Sequence, residues 1–555
     1  MMQRILKSKI FILLILMGIC IPVVLPYFSS GYFPTHDGEW AVVRLADMFR
    51  SLRDLQFPVR YSGALNFGYG YPLFNFAYPF PYYLGVALYF PTHSFIISIK
   101  SIFVLSVFLS SIFMYLASLQ LWKSRIGAFS SSVIYIYLPY RMVDLYVRGS
   151  IGESLAFALF PVIFYFALKL FDSPFDRIIV VLLSLTIGML VMTHNIMILL
   201  FMPLLLSFIL IRIIVEKRFD VMQSLILCLL LGSGISFFFW FPALFEKGNI
   251  LLSQIPIADR NLYFVNLSKL VIPSWGYAPP TESGGFTYQL GLGQIGIVIV
   301  TLIVLCLTFI KNKFLQTPIV FYSSILFILY LLYLAMMFSF TGFIWNFLPL
   351  LSEINYPWTI LAILGFITSL LASFLVVRGT GLKYIVIVLV CLCIFVTLPY
   401  AKPSSTMIYP DSYYLTNEAT TTSSSELTPL WVKEKPTKRY DQKVEVITGS
   451  AVVSELKYNS KSISFTYKSN DDSVLQVNTI YYPGWKAYLN GDLTKIDYDN
   501  EKGVMRINAS KFRNKVSFYF TETFPRLGAN IVSIVSILVL LFILLRPLLL
   551  FRSYK

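Results

Sequence analysis

Twelve apolar runs, each near the length of a membrane crossing, set the terms for any fold this chain can adopt. They lie near 10–28, 94–119, 124–140, 151–171, 178–194, 196–214, 222–245, 288–310, 317–339, 356–377, 384–400 and 528–546. A helix rises about 1.5 Å per residue, so about 20 apolar residues cross a hydrocarbon core of roughly 30 Å. Hydrophobic residues make up 57% of the 555, and charged residues only 13%. A soluble core cannot use that much apolar surface, so the chain reads as an α-helical polytopic membrane protein of about 12 spans. The first run follows a basic N-terminus and shows no small-residue cleavage site near Tyr27 to Gly31. It reads as an uncleaved span rather than a signal peptide.

The formal charge of +16 does not point to nucleic acid, because the cations sit in short joints between apolar runs. These joints hold Lys123 and Arg125; Lys169 and Arg177; Arg212, Lys217 and Arg218; Lys311 and Lys313; Arg378 and Lys383; Arg546, Arg552 and Lys555. That is the positive-inside pattern, with both termini cytoplasmic in a multi-pass cell-membrane protein. The joints near 195 and 340–355 carry no Lys or Arg, whereas the joint 141–150 carries Arg141 and Arg148.

This parity keeps 73–92 from being a full span. Pro72, Pro79, Pro81 and Pro91 break it, so one or two short helices lying in the outer interface are expected. Residues 39–55 read as an amphipathic helix with Arg44, Asp47, Arg50 and Asp54 on one face. From Lys443 onward, apolar and polar residues alternate, and Asn490-Gly491 is a hairpin signal, which predicts a small extracytoplasmic β-sandwich. The expected organisation is three parts. Residues 1–400 form a transmembrane domain with outer loops 29–93 and 246–287. Residues 401–527 form an extracytoplasmic linker and β-rich domain, and 528–555 a last span with a basic cytoplasmic tail.

The five cysteines all fall in apolar runs and suggest neither a disulfide framework nor a thiolate zinc site. His36, His93 and His194 lack tight ligand spacing. Chemistry is expected in the outer loops, where acids sit beside arginines. Asp37 and Glu39 come from the first loop, Arg141, Asp144, Arg148 and Glu153 from PYRMVDLYVRGSIGE, and His194 from Thr193-His194-Asn195. Arginines grip phosphate oxygens, bidentately where geometry allows, and a carboxylate can take a proton from an attacking hydroxyl.

The motifs HDGEW, GYGYPLFNF, YPFPYYL, PYRMVDLYVRG, THN and YPGWK, spread over most of the chain, resemble the membrane proteins called 6-pyruvoyl-tetrahydropterin synthase-related. That group is in turn similar to GT-C glycosyltransferases. The resemblance implies a GT-C-like fold, a polyprenyl-phosphate-linked sugar as donor, and an acceptor in the cell envelope (a glycan, lipid or protein). It implies Asp37 as the catalytic acid, with Glu39 as its neighbour or a metal ligand. Arg141 and Arg148 would hold the donor phosphate, supported by His36, Asp144, Glu153 and His194. A magnesium or manganese ion is compatible with this scheme but not required, since arginines can neutralise a leaving phosphate. One position departs: the resemblance leads to Pro-Trp-Arg near the tenth span, and the chain has Pro357-Trp358-Thr359.

Plainer readings stand beside these. Asp37 is also the expected N-cap of the 39–55 helix. Arg148 and Glu153 can form a structural ion pair, and His194 can be a packing residue at a span end. The stretch around Trp485 can be a turn packed on the sandwich. At the level of the whole chain, the alternatives are a lipid or glycan transporter or flippase, and a non-catalytic envelope assembly protein.

Overall fold

The computed structural model describes residues 9–552 apart from 283, 287, 312–316, 348, 420 and 423–424, and no side chains at 9, 349–350 or 546–552. Lys313, Lys555 and the side chains of Arg546 and Arg552, part of the charge pattern, lie outside the described residues. The longer helices are α1 Lys9–Val24, α2 Gly38–Arg53, α3 Phe80–Thr92, α4 Phe95–Trp122, α5 Arg125–Ile136, α6 Ile151–Lys169, α7 Arg177–Val191 and α8 Asn195–Glu216. They continue as α9 Phe219–Ile235, α10 Phe237–Phe245, α11 Leu292–Ile310, α12 Pro318–Met336, α13 Leu361–Arg378, α14 Thr380–Thr397 and α15 Phe524–Arg552.

Every apolar run of the sequence forms helix, but not every run forms a full-length span. Among the described residues, nine helices are long and apolar enough to cross a membrane. Of the twelve expected spans, α5 has 12 residues and α7 has 15. At 1.5 Å per residue α5 reaches only about 18 Å. It lies tight against α13, where Gly127 leaves no room for a Cβ beside Ser373 and Ser131 Oγ donates to Ser369 O. The run 222–245 is broken: α9 and α10 meet at 68°. Ser533 of α15 bridges the two sides of the buried break. Ser533 Oγ donates to Gly234 O at 2.9 Å and accepts from the Phe238 N–H at 2.8 Å. Satisfying freed backbone groups in this way makes a break tolerable inside a bundle.

Pro79, at the N-terminal boundary of α3, and Pro81 in its first turn divide 73–92 into a single turn, Leu73–Phe76, and α3, so this stretch is two short helices as expected. The connections then sort to two ends of the bundle. At one end, the loop 29–94 meets the joint 137–150, the turn at Met192, the loop 246–291 and the segment 401–523. The Asp37 N–H donates to Arg148 O at 2.8 Å, the Phe80 N–H to Met192 O at 3.0 Å, and the Tyr32 N–H to Met407 O at 2.8 Å. At the other end, Gln120 and Lys169 both reach Asp172, and Arg218 donates to Phe171 O.

The tail forms two antiparallel sheets. The strands are β1 Val444–Thr448, β2 Val452–Tyr458, β3 Ser462–Ser469, β4 Ser473–Ile480, β5 Trp485–Leu489, β6 Asp492–Thr494, β7 Val504–Ala509 and β8 Phe512–Phe520. Their order is β1-β4-β7 in one sheet and β2-β3-β8-β5-β6 in the other. Ile463, Phe465 and Tyr467 alternate inward from β3. Asn490 and Gly491, with φ of 55° and 99°, close the β5–β6 hairpin as the sequence signal required. Trp485 is buried at the start of β5, edge-on to Tyr61 at 5.6 Å, so it packs the sandwich rather than presenting a stacking face.

A buried polar junction fixes this sandwich to the bundle. Arg526, the third residue of α15, makes a two-pronged bond to Glu246 at 2.8 and 2.7 Å. Asn75 and Tyr482 also donate to Glu246. Arg60 binds both oxygens of Glu522, Asn75 Oδ1, Phe238 O and Asn530 Oδ1. Burying charges is costly, and in this junction each arginine has a carboxylate partner, Arg526 with Glu246 and Arg60 with Glu522.

Candidate functional site

The site is built where α2 begins. Asp37 stands at the N-cap position of α2, but its side chain makes no capping hydrogen bond. Thr35 Oγ1 accepts from the Gly38 N–H instead, at 2.9 Å. The backbone of His36 and Asp37 is pinned to Val147 O and Arg148 O, so the first loop is laid against the Asp144–Arg148 segment. That segment is a single wide π-type turn closed by the Gly149 N–H on Asp144 O at 2.9 Å. Gly149 sits at φ 63°, and a Cβ there would collide with Thr35 Oγ1. The turn and the loop therefore need a glycine between them.

A cavity of about 460 Å³ opens at this junction. That is within the range of small-molecule sites, roughly 300–1,000 Å³. Four residues of one face of α2 line it: Asp37, Trp40, Ala41 and Arg44. Arg148 and His36 come from the joint and the loop, Tyr78 from the link between the two interfacial helices and Tyr82 from α3. Tyr263, Pro279, Pro280 and Phe286 of the loop 246–291 close one side, and Thr422 and Glu426 of the linker another. Trp358 and Tyr356 form the aromatic floor. The Trp358 ring has Phe286 at 5.2 Å, Tyr356 at 5.3 Å, Tyr288 at 5.9 Å and Tyr140 at 5.9 Å.

Two arginines reach the cavity. The Arg148 guanidinium lies 4.7 Å from the Trp358 ring centre. Its Nη1 donates to Glu153 and to Tyr140 Oη; its other donors have no protein partner among the described residues. Burial works against its charge, and Tyr140, Asp37 and Asp144 around it outweigh that and hold it cationic. Arg44 is anchored on the linker, with Nε on Thr421 Oγ1 at 3.0 Å and Nη2 on Thr421 O, and it approaches Tyr82 Oη at 3.5 Å. His36 Nε2 is 2.8 Å from Tyr277 O, tying the loop 246–291 over the site.

The other expected site residues fall elsewhere. Glu39 does not line the cavity; its neighbours are Tyr32, Tyr413 and Tyr414, and burial raises its carboxyl above the usual range. Arg141 does not line the cavity, whereas Arg148 does. Arg141 is fully buried in the bundle, 4.6 Å from the Phe157 ring centre, with Nη2 on Ser106 Oγ at 3.1 Å. Asp144 is fully buried within the joint, and Glu153 is the buried partner of Arg148. His194 is the N-cap of α8, accepting from the Met197 N–H at 3.3 Å, and its ring stacks on Tyr78 at 5.4 Å. It supports the cavity wall from behind. His93 ends α3, away from the site. Of the cavity residues that sequence reasoning did not assign to the site, Arg44 and Trp358 stand nearest the chemistry proposed below. The spacing 37, 40, 41, 44 marks one helical face and was the signal for Arg44. Trp358 stood in the Pro357-Trp358-Thr359 stretch, but the arginine that the resemblance led to at 359 is a threonine, whose Oγ1 donates to Tyr356 O.

The donor set does not fit a protein-held divalent ion. Among the described residues no three His, Cys, Asp or Glu side chains gather closely enough to hold one. The positive charge facing the cavity is that of the arginines.

A family model described as 6-pyruvoyl-tetrahydropterin synthase related domain, membrane protein, matches residues 74–404, well over half the chain. The chain belongs to this family. The match includes Arg148, Glu153, His194 and Trp358, and Asp37 lies N-terminal to it. No curated protein matches the chain in sequence. Two solved structures are similar in shape, both from Archaeoglobus fulgidus. One is its oligosaccharyltransferase in the apo form, at TM-score 0.46 and 12% identity, covering 74% of this chain and 56% of that one. The other is the oligosaccharyltransferase AglB in complex with an inhibitory peptide and a dolichol-phosphate, at TM-score 0.44 and 12% identity, covering 73% and 55%. The chain spans about half the length of these structures.

Proposed function

We propose that the chain is a membrane glycosyltransferase that moves a sugar from a polyprenyl-phosphate donor to an acceptor in the cell envelope. The observation that carries this is one cavity holding an uncapped carboxylate, Asp37, and two arginines, Arg44 and Arg148, among aromatic walls. Aromatic faces suit sugar rings, and arginine forks suit phosphate. The donor class comes from the resemblance carried by the HDGEW and PYRMVDLYVRG stretches.

In this reading Asp37 takes the proton of an acceptor hydroxyl as its oxygen forms a bond to the sugar's anomeric carbon. The bond from that carbon to the donor phosphate breaks, and the electron pair leaves on the phosphate. Arg148 and Arg44 stabilise the charge that develops there. The displacement is single and inverts the anomeric centre. Arg148 takes the place first given to the Arg141–Arg148 pair, and Glu153 and Tyr140 aim it.

The same reading sets the topology. The end of the bundle that carries the cavity and the β-sandwich is extracytoplasmic, and both termini are cytoplasmic. The test is incubation of purified protein with a panel of labelled polyprenyl-phosphate sugars and envelope extract. Release of lipid phosphate together with a labelled acceptor is expected. Donor that binds without release across the whole panel would favour the flippase or assembly readings.

A further inference from the structure

A second cavity, a groove of about 660 Å³, runs between the segment Tyr27–Gly31 that follows α1 and the first half of α4, and shares no lining residue with the one at Asp37. Its walls are mostly apolar, with Leu88, Val104 and Phe108 inside. Phe28, Ile97 and Leu105 on its lining are exposed large apolar side chains, a rim that suits hydrocarbon better than water.

One charge stands in this apolar setting. Lys100 lines the groove and is only 6% exposed. Its Nζ donates to Ser29 O at 2.5 Å and Gly31 O at 2.8 Å, which fixes the ammonium at the groove wall. No carboxylate lies within ion-pair distance of it among the described residues. Asp411, on the neighbouring segment, is engaged by Ser94 Oγ at 3.1 Å and the Phe95 N–H at 2.8 Å. An ammonium at membrane depth with hydrogen bonds but no counter-charge calls for an anion.

We propose that this groove binds an anionic phospholipid, with an acyl chain along α4 and its phosphate on Lys100. A lone ammonium meets phosphate as a point charge and has no planar fork to match. The groove wall at Ser29–Gly31 runs directly into Tyr32, whose backbone pairs with Met407, and on to Asp37. A bound lipid therefore braces the segment that leads into the catalytic loop. This inference does not depend on the transfer reaction.

The test is melting of the full-length protein in phosphatidylcholine nanodiscs with and without phosphatidylglycerol. Binding to the native state raises the melting temperature. Phosphatidylglycerol is expected to raise Tm by several degrees over phosphatidylcholine alone. Lys100→Arg should keep that difference and Lys100→Met should lose it. Ile97→Trp, which fills the groove and leaves Lys100 in place, should lose it as well. An equal phosphatidylglycerol response in Lys100→Met, or no response in the wild type, would overturn the proposal. Displacement of phosphatidylglycerol by an equimolar prenyl phosphate would overturn it in favour of a second prenyl-lipid site.

Discussion

The Gly38 N–H at the start of α2 is satisfied by Thr35 Oγ1, which leaves the Asp37 carboxylate outside the hydrogen bonding of its own helix. Capping therefore does not occupy the Asp37 carboxylate, although Asp37 stands at the N-cap position. Thr35→Ala should therefore cost about 1 kcal/mol of stability, while Asp37→Ala costs little, as read by melting of the two variants. Asp47 is a second residue with a consequence of its own. It is 3% exposed, and burial outweighs Ser62, Arg50 and the Ala64 N–H beside it and pushes its carboxyl up to about 6. A carboxyl raised on folding stabilises fully only below its unfolded pKa, about 3.9, and that stability is lost as pH rises through about 6. Asp47→Asn should thus gain about 1–3 kcal/mol at pH 7.5, and the gain should vanish by about pH 4. A melting series of both proteins across that range checks the slope.

Elements meet at the base of the β-sandwich, where α10, α15 and the first loop share one buried network. Arg526 and Glu246 are its centre, at 0% and 5% exposure. Arg526→Met leaves Glu246 charged and uncompensated and should cost about 3–5 kcal/mol. The double variant Arg526→Met with Glu246→Leu should recover much of that, and comparison of the two melting temperatures measures the difference. The amphipathic helix α2 shows why such contacts escape a sequence reading. Its periodicity gives the helix and its faces, and α2 runs from 38 to 53 where 39 to 55 was expected. The charges on one face do not pair along the helix. Arg44 goes to Thr421, Arg50 to Leu415 O, and Asp54 to the Ser460 N–H. Those partners are more than 360 residues away in sequence, and i, i+4 spacing carries no information about them.

At the scale of the whole molecule, local composition made the helices and strands legible, but not which arginines meet at one cavity. Arg148 and Arg141 lie seven residues apart in one joint and read as equals. The π-type turn between Asp144 and Arg148 sends one to the cavity and the other into the bundle. The orientation of the bundle has its own check. Single cysteines at Asn459 and Thr281, both exposed, should react with an impermeant thiol reagent on whole cells carrying an otherwise cysteine-free protein. Cysteines at Ser173 and Thr380, exposed at the opposite end, should not. The reverse pattern would invert the membrane orientation. The central claim is that the Asp37 carboxylate acts as a base, and Asp37→Asn addresses it directly, because an amide keeps the shape but takes up no proton near neutral pH. The measurement is transfer from a labelled polyprenyl-phosphate sugar by Asp37→Asn beside the wild type, at matched expression and melting temperature. The account predicts a fall of roughly 10²-fold or more. Full transfer by Asp37→Asn would contradict it.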